Sequence, residues 1–348
     1  MRKCVWMAGC LAVLAAAALG EAQKVSLKIG YEPGTYVMTT TTDMNNVTTM
    51  STGQTMDQKM KMTMVVEIDA GQKDPQGTQK LRMTFKRVAQ SITGGPMSMT
   101  YDSAEPEGGN PMLAMTYRAI LDKPIEVTID KEGKAVAVSG MDEMWDAMAT
   151  ENPAMAQTAN AMKEQLGNNY MAQMVDMGYR MMPSAPVGMG ETWESDHQLE
   201  LPMIGKADVK QKSTLKELKD SPAGQVAVIA FTSTIEKPQA EGVESGGTMQ
   251  VTVDKAKITQ TGTTEMAVAS GMLLNYAADQ KASMSLSMHP GDMPEGQPGA
   301  QPVNMAMEQD GKVQMTVQKG KYVPPAPKPT GESQPAPAQP AAPRDSGL

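Results

Sequence analysis

Cysteine, histidine and phenylalanine are almost missing from this chain: 348 residues include 2 of each. Both cysteines, Cys4 and Cys10, lie inside an N-terminal segment that reads as a cleaved export signal. The exported chain is thus expected to lack any disulfide framework, thiolate metal site or thiol nucleophile. The two histidines, His197 and His289, are far apart and cannot form a His-Glu-x-x-His zinc helix or a histidine cluster. No Gly-x-Ser-x-Gly elbow is present, nor a Gly-rich phosphate loop ahead of a helix. Ser213-Thr214-Leu215-Lys216 matches Ser-x-x-Lys, but its flanks read as strand and the companion motifs of penicillin-recognising enzymes are missing. Asp142 with Glu143, and Glu191 with Glu194, read as solvated carboxylates rather than a glycosidase pair. With no nucleophile–base or metal constellation to assemble, the sequence reads as a non-enzyme and implies no cofactor.

Positive charge is also scarce in one place. The net charge is −8 with no basic run, which argues against nucleic acid as a partner. Long apolar runs are confined to the N-terminus, where Arg2 and Lys3 precede a stretch from Cys4 to Leu19. That stretch falls short of the ~20 residues a span needs, and Gly20-Glu21-Ala22 supplies the small residues of a cleavage site after Ala22. Met7-Ala8-Gly9-Cys10 resembles a lipoprotein box, yet few residues precede it and the apolar region continues beyond. The expectation is export to the periplasm, cell envelope or exterior, with no transmembrane segment in the mature chain.

What the sequence has in abundance is methionine, 35 residues of it, placed at period two. Met60, Met62, Met64, Val66 and Ile68 alternate with Lys59, Lys61, Thr63 and Glu67; Leu81, Met83 and Phe85 alternate with Lys80, Arg82, Thr84 and Lys86. Met97, Met99 and Tyr101, then Met249, Val251 and Val253, then Met284, Leu286 and Met288 repeat the pattern. One apolar and one polar face mark antiparallel strands packed on one side, and their length suggests strong curvature. Asp310-Gly311 between two alternating runs predicts a tight hairpin turn, and Lys131-Glu132-Gly133 a second, longer one. Helical spacing takes over at Met141, Met144, Trp145 and Met148, with Ser139 as the predicted cap. Asn152-Pro153 predicts a restart with Met155, Met162 and Leu166 as its stripe and Gly167 as its end. Tyr170, Met171, Met174, Met177 and Met181 form a third stripe.

The organisation read from this is a signal at 1–22, an N-terminal β-rich half at 23–139, a helical block at 140–182, a C-terminal β-rich half at 183–322, and a disordered Pro/Ala-rich tail at 323–348. Glu105–Pro111 and His289–Pro302, rich in Gly and Pro, read as loops. The recurrence of Val127-Thr128-Ile129-Asp130-Lys131 as Val251-Thr252-Val253-Asp254-Lys255 is the kind of match that strand composition produces by itself. The fold class is α+β, mainly β: a large curved antiparallel sheet, open or a half barrel, with a central helical block.

Gly34-Thr35-Tyr36, Lys123-Pro124-Ile125-Glu126-Val127 leading to Asp130 and Gly133, and Val187-Gly188-x-Gly190-Glu191-Thr192-Trp193 resemble the pattern of an uncharacterised family of secreted bacterial envelope proteins, a domain of unknown function. The resemblance implies export and a β-rich fold, and carries no activity. At the level of fold alone, a curved sheet with helices is also similar to periplasmic lipoprotein carriers.

Three readings of the methionines compete. They are core by default, standing where Leu, Ile or Phe usually stand. They suit an adaptable apolar site, with Met60, Met62, Met64, Met83 and Phe85 as the candidate ligand face. Their thioethers also suit Cu(I), at Met60-x-Met62-x-Met64 and Met171-x-x-Met174-x-x-Met177. The functional expectation is an exported, non-enzymatic envelope protein that binds a lipid, another apolar ligand or an envelope protein partner through a Met-lined sheet face. Soft-metal binding is the alternative.

Overall fold

A computed structural model describes residues 24–325 apart from 96–97, 152–155, 202–203, 222–223, 238–248 and 291–302. In chain order the elements are β1 (Gly34–Met50), β2 (Thr55–Ala70), β3 (Gln79–Thr93), β4 (Met99–Asp102), α1 (Pro111–Arg118), β5 (Pro124–Ile129) and β6 (Ala135–Ser139). The helices α2 (Met141–Glu151), α3 (Ala156–Leu166) and α4 (Asn168–Arg180) follow. The chain then forms β7 (Thr192–Leu201), β8 (Gly205–Ser221), β9 (Gly224–Lys237), β10 (Met249–Ala267), β11 (Leu273–Pro290) and β12 (Val303–Lys319). All strands join one antiparallel sheet in the order β6-β5-β3-β2-β1-β12-β11-β10-β9-β8-β7, with β4 beside β3. The fold is therefore mainly β with a central helical block, as the alternation predicts. The two β-rich halves are welded along β1 and β12, paired from Tyr36↔Lys319 to Met50↔Met305.

The sheet is rolled, and a helix fills its seam. The edge strands β6 and β7 do not pair with each other; α4 contacts both. Asp176 on α4 accepts the backbone N–H of Ala135 on β6 at 2.9 Å, and the Gln173 side-chain oxygen accepts that of Glu200 on β7 at 3.2 Å. Unpaired edge N–H groups that would otherwise template another strand thus end on a helix.

One end of the roll is closed. Residues 24–31 cross it as a strap, with Val25 and Val187 exchanging two backbone hydrogen bonds of 2.9 Å. Further along, the N–H of Gly30 donates to the Gly271 carbonyl, and the amide of buried Gln79 donates to the carbonyls of Tyr31 and Gly71. Leu27 and Val25 pack inside with Leu215, Ile229 and Met266. Beside them α2 drives Met141, Met144, Trp145 and Met148 onto Tyr36, Ile68, Ile125 and Val127. The Gly/Asp turn at 130–133 forms as predicted, with the Asp130 carboxylate accepting the N–H groups of Glu132 and Lys134. The motif residues around Val187 also serve this end: Glu191 accepts the Gly188 N–H and pairs with Lys24, and the Trp193 indole donates to the Met181 carbonyl.

Four sequence expectations need correction. Asp310 and Gly311 are not a turn; they lie mid-strand in β12, paired to Asn45 and Met44 on one side and to Lys281 and Gln280 on the other. Glycine is there because a Cβ would meet the Asp43 carbonyl and the Met44 side chain, so close backbone approach explains it rather than turn chemistry. Ser139 ends β6 rather than capping α2. The residue before the helix is Gly140, whose N–H donates to Glu143 at 2.8 Å, and Asp142 instead accepts the Asn168 N–H while Asn168 accepts that of Met141. The helix α1 begins in the segment expected to be loop, with Asn110 accepting the N–H of Leu113. His289 continues β11 rather than opening a loop. The signal, Met97, Asn152-Pro153 with Met155, and the tail beyond 325 lie outside the described residues.

Candidate functional site: the lumen of the rolled sheet

Side-chain parity decides which residues face inward. On β12 the alternation is unbroken: Val303, Met305, Met307, Gln309, Gly311, Val313 and Met315 are half-buried, while Asn304, Ala306, Glu308, Asp310, Lys312, Gln314 and Thr316 are exposed. Carrying the register across the sheet puts Met284, Leu286, Gln280 and Tyr276 of β11 on the same inner face, with Gln260 and Ala256 of β10 and Met44, Asn46 and Met50 of β1. Bulges at Lys86, Lys216 and Asp254 re-phase three strands and keep apolar residues inward on both sides of the break.

The inner face is layered from the closed end outward. First come the aliphatic and aromatic cores described above. Next, a single row of the register aligns Ser195, Gln211, Ser233, Gln260 and Gln280 across five adjacent strands, β7 to β11. Within and beside it runs a chain of side-chain hydrogen bonds. The Tyr276 hydroxyl donates to Gln260 at 3.3 Å, Gln260 to Gln280 at 2.8 Å, and Gln280 to Gln309 at 3.3 Å. Across the lumen, Gln90 accepts from the Tyr117 hydroxyl at 2.6 Å and reaches the Met60 sulfur at 3.7 Å. Last, toward the open end, Met284, Met305, Met307 and Ile204 gather around Val253, Ala256 and Leu286.

The five residues expected to form one apolar ligand face are divided by this layering. Met83 and Phe85 pack into the α2 core near the closed end. Met60, Met62 and Met64 stand further out, half-buried, facing the same lumen and paired across to Met44, Thr42 and Thr40. Sequence reading missed the polar row, because no single strand shows it.

Electrostatically the lumen and the outer wall are opposites. Outward positions at the same levels carry Lys212, Lys210 and Glu194 near β7, Lys255 and Lys257 on β10, and Asp279, Lys281, Lys312 and Asp310 on β11 and β12. Inward, from the level of Ile229 and Tyr276 to that of Val253 and Leu286, the one charged side chain on β7–β12 and β1–β3 is the buried Lys237, which is already engaged. His197, also inward, has its pKa lowered by burial and then by the Arg180 charge, against a smaller opposing effect of Asp196, so the ring favours its neutral form. Burial raises the pKa of the Tyr276 and Tyr117 hydroxyls, which keeps them as neutral donors. Among the described residues, the buried Oδ1 of Asn46, the Oγ of Ser195 and both ring nitrogens of His197 have no hydrogen-bond partner. No cluster of three or more His, Cys, Asp or Glu side chains that could hold a metal is found among the described residues.

Against known families, residues 76–273 match the model of a family of unknown function, DUF6263. The chain belongs to this family. The matched region runs from the turn before β3 to the start of β11 and so includes the helical block and the α4 seam. No curated protein matches the chain. Among solved structures, lipovitellin, described by its lipid–protein interactions, is similar with a TM-score of 0.42 and 11% identity, over 85% of this chain and 26% of that one. The chain thus spans about a quarter of lipovitellin's length. The β-domain of the Bordetella autotransporter BrkA aligns at a TM-score of 0.20 and 9% identity, over 81% of this chain and 99% of that one. The Escherichia coli autotransporter AIDA-I transport unit aligns at 0.21 and 6%, over 82% and 91%. At these scores the likeness bears on neither ligand nor activity.

Proposed function

We propose that this chain is an exported, non-enzymatic binding protein that holds an apolar ligand in the Met-lined lumen of its rolled sheet. The observation that carries the reading is the inner face itself: half-buried methionines at successive levels, almost free of charge, behind a wall whose outer face is charged. Size supports it. About eight strands make a barrel that side chains fill or that holds one small ligand, while about sixteen leave an aqueous channel. A roll of eleven strands in sequence plus a helix lies between the two. Flexible, polarizable thioethers suit a lumen that must fit ligands of varied shape. Charged outward positions suit a wall in water, the reverse of a barrel that faces lipid.

Native mass spectrometry of the chain purified from its own exported fraction is the test. Added mass in the lipid range supports the reading; a bare mass, together with failure to take up an apolar fluorophore, overturns it and leaves an envelope protein partner as the simpler account. A soft-metal reading has its own support in the directly opposed pairs Met44 with Met60, Met50 with Met305, and Met284 with Met307. Replacing Met60, Met305 and Met307 with Leu takes one sulfur from each pair and separates the two, since Leu keeps bulk and removes sulfur. The ligand reading expects apolar uptake within about twofold of the native chain, whereas Cu(I) retention should collapse if sulfur is the ligand.

A further inference from the structure

We infer that the ligand is a neutral amphiphile, an apolar chain ending in an uncharged group that both donates and accepts hydrogen bonds, with that group seated at the polar row and the chain lying toward the open end. The inference rests on the apolar-ligand reading and names its substrate class. A lumen built only to hold hydrocarbon has no use for a row of amides and hydroxyls, because each must be hydrogen-bonded to avoid a desolvation cost. Here Ser195, Gln211, Ser233, Gln260 and Gln280 stand side by side on five strands. The hydrogen-bonded run through Gln260 and Gln280 ends at the side-chain oxygen of Gln309. Opposite Gln309 in the register is Asn46, whose buried Oδ1 is unpartnered, and at the other end of the row lie the unpartnered Ser195 Oγ and the His197 ring.

These groups demand a particular complement. Asn46 offers a buried acceptor that needs a donor, while the His197 ring, neutral, offers one donor and one acceptor, both unpartnered. A hydroxyl or a carboxamide supplies both; a carboxylate supplies acceptors alone. An anionic head would also lose its hydration in a layer where the inward lysine of the strands, Lys237, is already engaged. Depth sets the orientation. The closed-end side of the row is filled by the strap and α2, so the chain extends past Met284, Met305 and Met307.

The experiment uses the full exported chain loaded with N-phenyl-1-naphthylamine, displaced at pH 8 by monoolein, oleamide or oleate, which share one chain length and differ at the head. Monoolein and oleamide are expected to displace the probe at about tenfold lower concentration than oleate, the effect of one well-made buried hydrogen bond. In the double variant Gln260→Leu/Gln280→Leu that preference should fall to about twofold or less while the probe still binds. Gln280→Met, unbranched and similar in length, is the second variant should the double one fail to fold, and should lower the preference in the same direction. Oleate binding as tightly as the neutral heads, or an unchanged preference in a folded variant, overturns the inference while leaving the lumen reading intact. Failure of the probe itself to bind overturns both.

Discussion

Removing Leu27 should unlock the closed end of the roll. Its side chain is 2% exposed and meets Val25, Val187, Leu215, Ala227, Ile229 and Met266, from the strap, the segment before β7, and β8 to β10. Leu27→Ala removes about three methylene equivalents at about 0.8 kcal/mol each. The cavity left behind adds to this, giving about 3 kcal/mol in total, within the usual range of about 2–5. Relaxation should be limited, because the strap is pinned on either side of Leu27 by the Val25–Val187 pair and the Gly30–Gly271 bond. Urea unfolding followed by circular dichroism is the assay. With a slope of about 3 kcal/mol per molar, the midpoint should drop by about 1 M at unchanged slope. Val323→Ala is the control, since Val323 is 80% exposed and its loss should stay within about 0.5 kcal/mol. A Leu27→Ala shift no larger than the control's would show that the strap does not close the roll.

Three further outcomes are expected. Asp176→Ala should speed hydrogen exchange at the Ala135 amide, whose acceptor is lost, with little change at amides in β11; equal rates at Ala135 in both proteins would remove α4 from the seam. Asp102→Ala should cost about 1 kcal/mol, or about 2 °C in melting temperature, by breaking the two-point bond with Arg87 at 3.0 and 2.6 Å between partly exposed partners. The pKa of His197 is depressed below its ordinary 6.5, so the unfolded chain binds that proton first as pH falls. Stability from this group is therefore full above about 6.5 and declines as pH drops from there toward the lowered folded value. His197→Gln should flatten the slope of unfolding free energy against pH in that window, and an unchanged slope would contradict the burial argument.

Much of the architecture was legible because periodicity is local. Alternation at Met60–Ile68 and Met284–Met288, and helical spacing at Met141–Met148, each name an element and its buried face from a few consecutive residues. The Asp310-Gly311 error came from the same locality: a sound turn signal was outweighed by ladders to β1 and β11 on either side, which only the whole sheet reveals. Gly262 on β10 is a parallel case, since a Cβ there would press on the Ala277 carbonyl and Ala278. The helix α1 was missed although Asn110-Pro111 carries the same cap-then-proline signal as Asn152-Pro153. The polar row was illegible for a deeper reason. Its members lie 16 or more positions apart in sequence and meet only through pairing offsets, two of which depend on bulges.

The central claim is that an apolar ligand lies inside the roll and not on its outer wall. Adjacent residues of β11 test it, because Met284 faces the lumen and Ser283 is exposed on the outside. Tryptophan is introduced by Met284→Trp in one variant and by Ser283→Trp in the other, and each is titrated with a bromine-labelled fatty alcohol that quenches on contact. Saturable quenching of the tryptophan at position 284, with the one at 283 left at the background of the native chain, is the result expected. Equal quenching at both positions, or none at 284, would contradict the account.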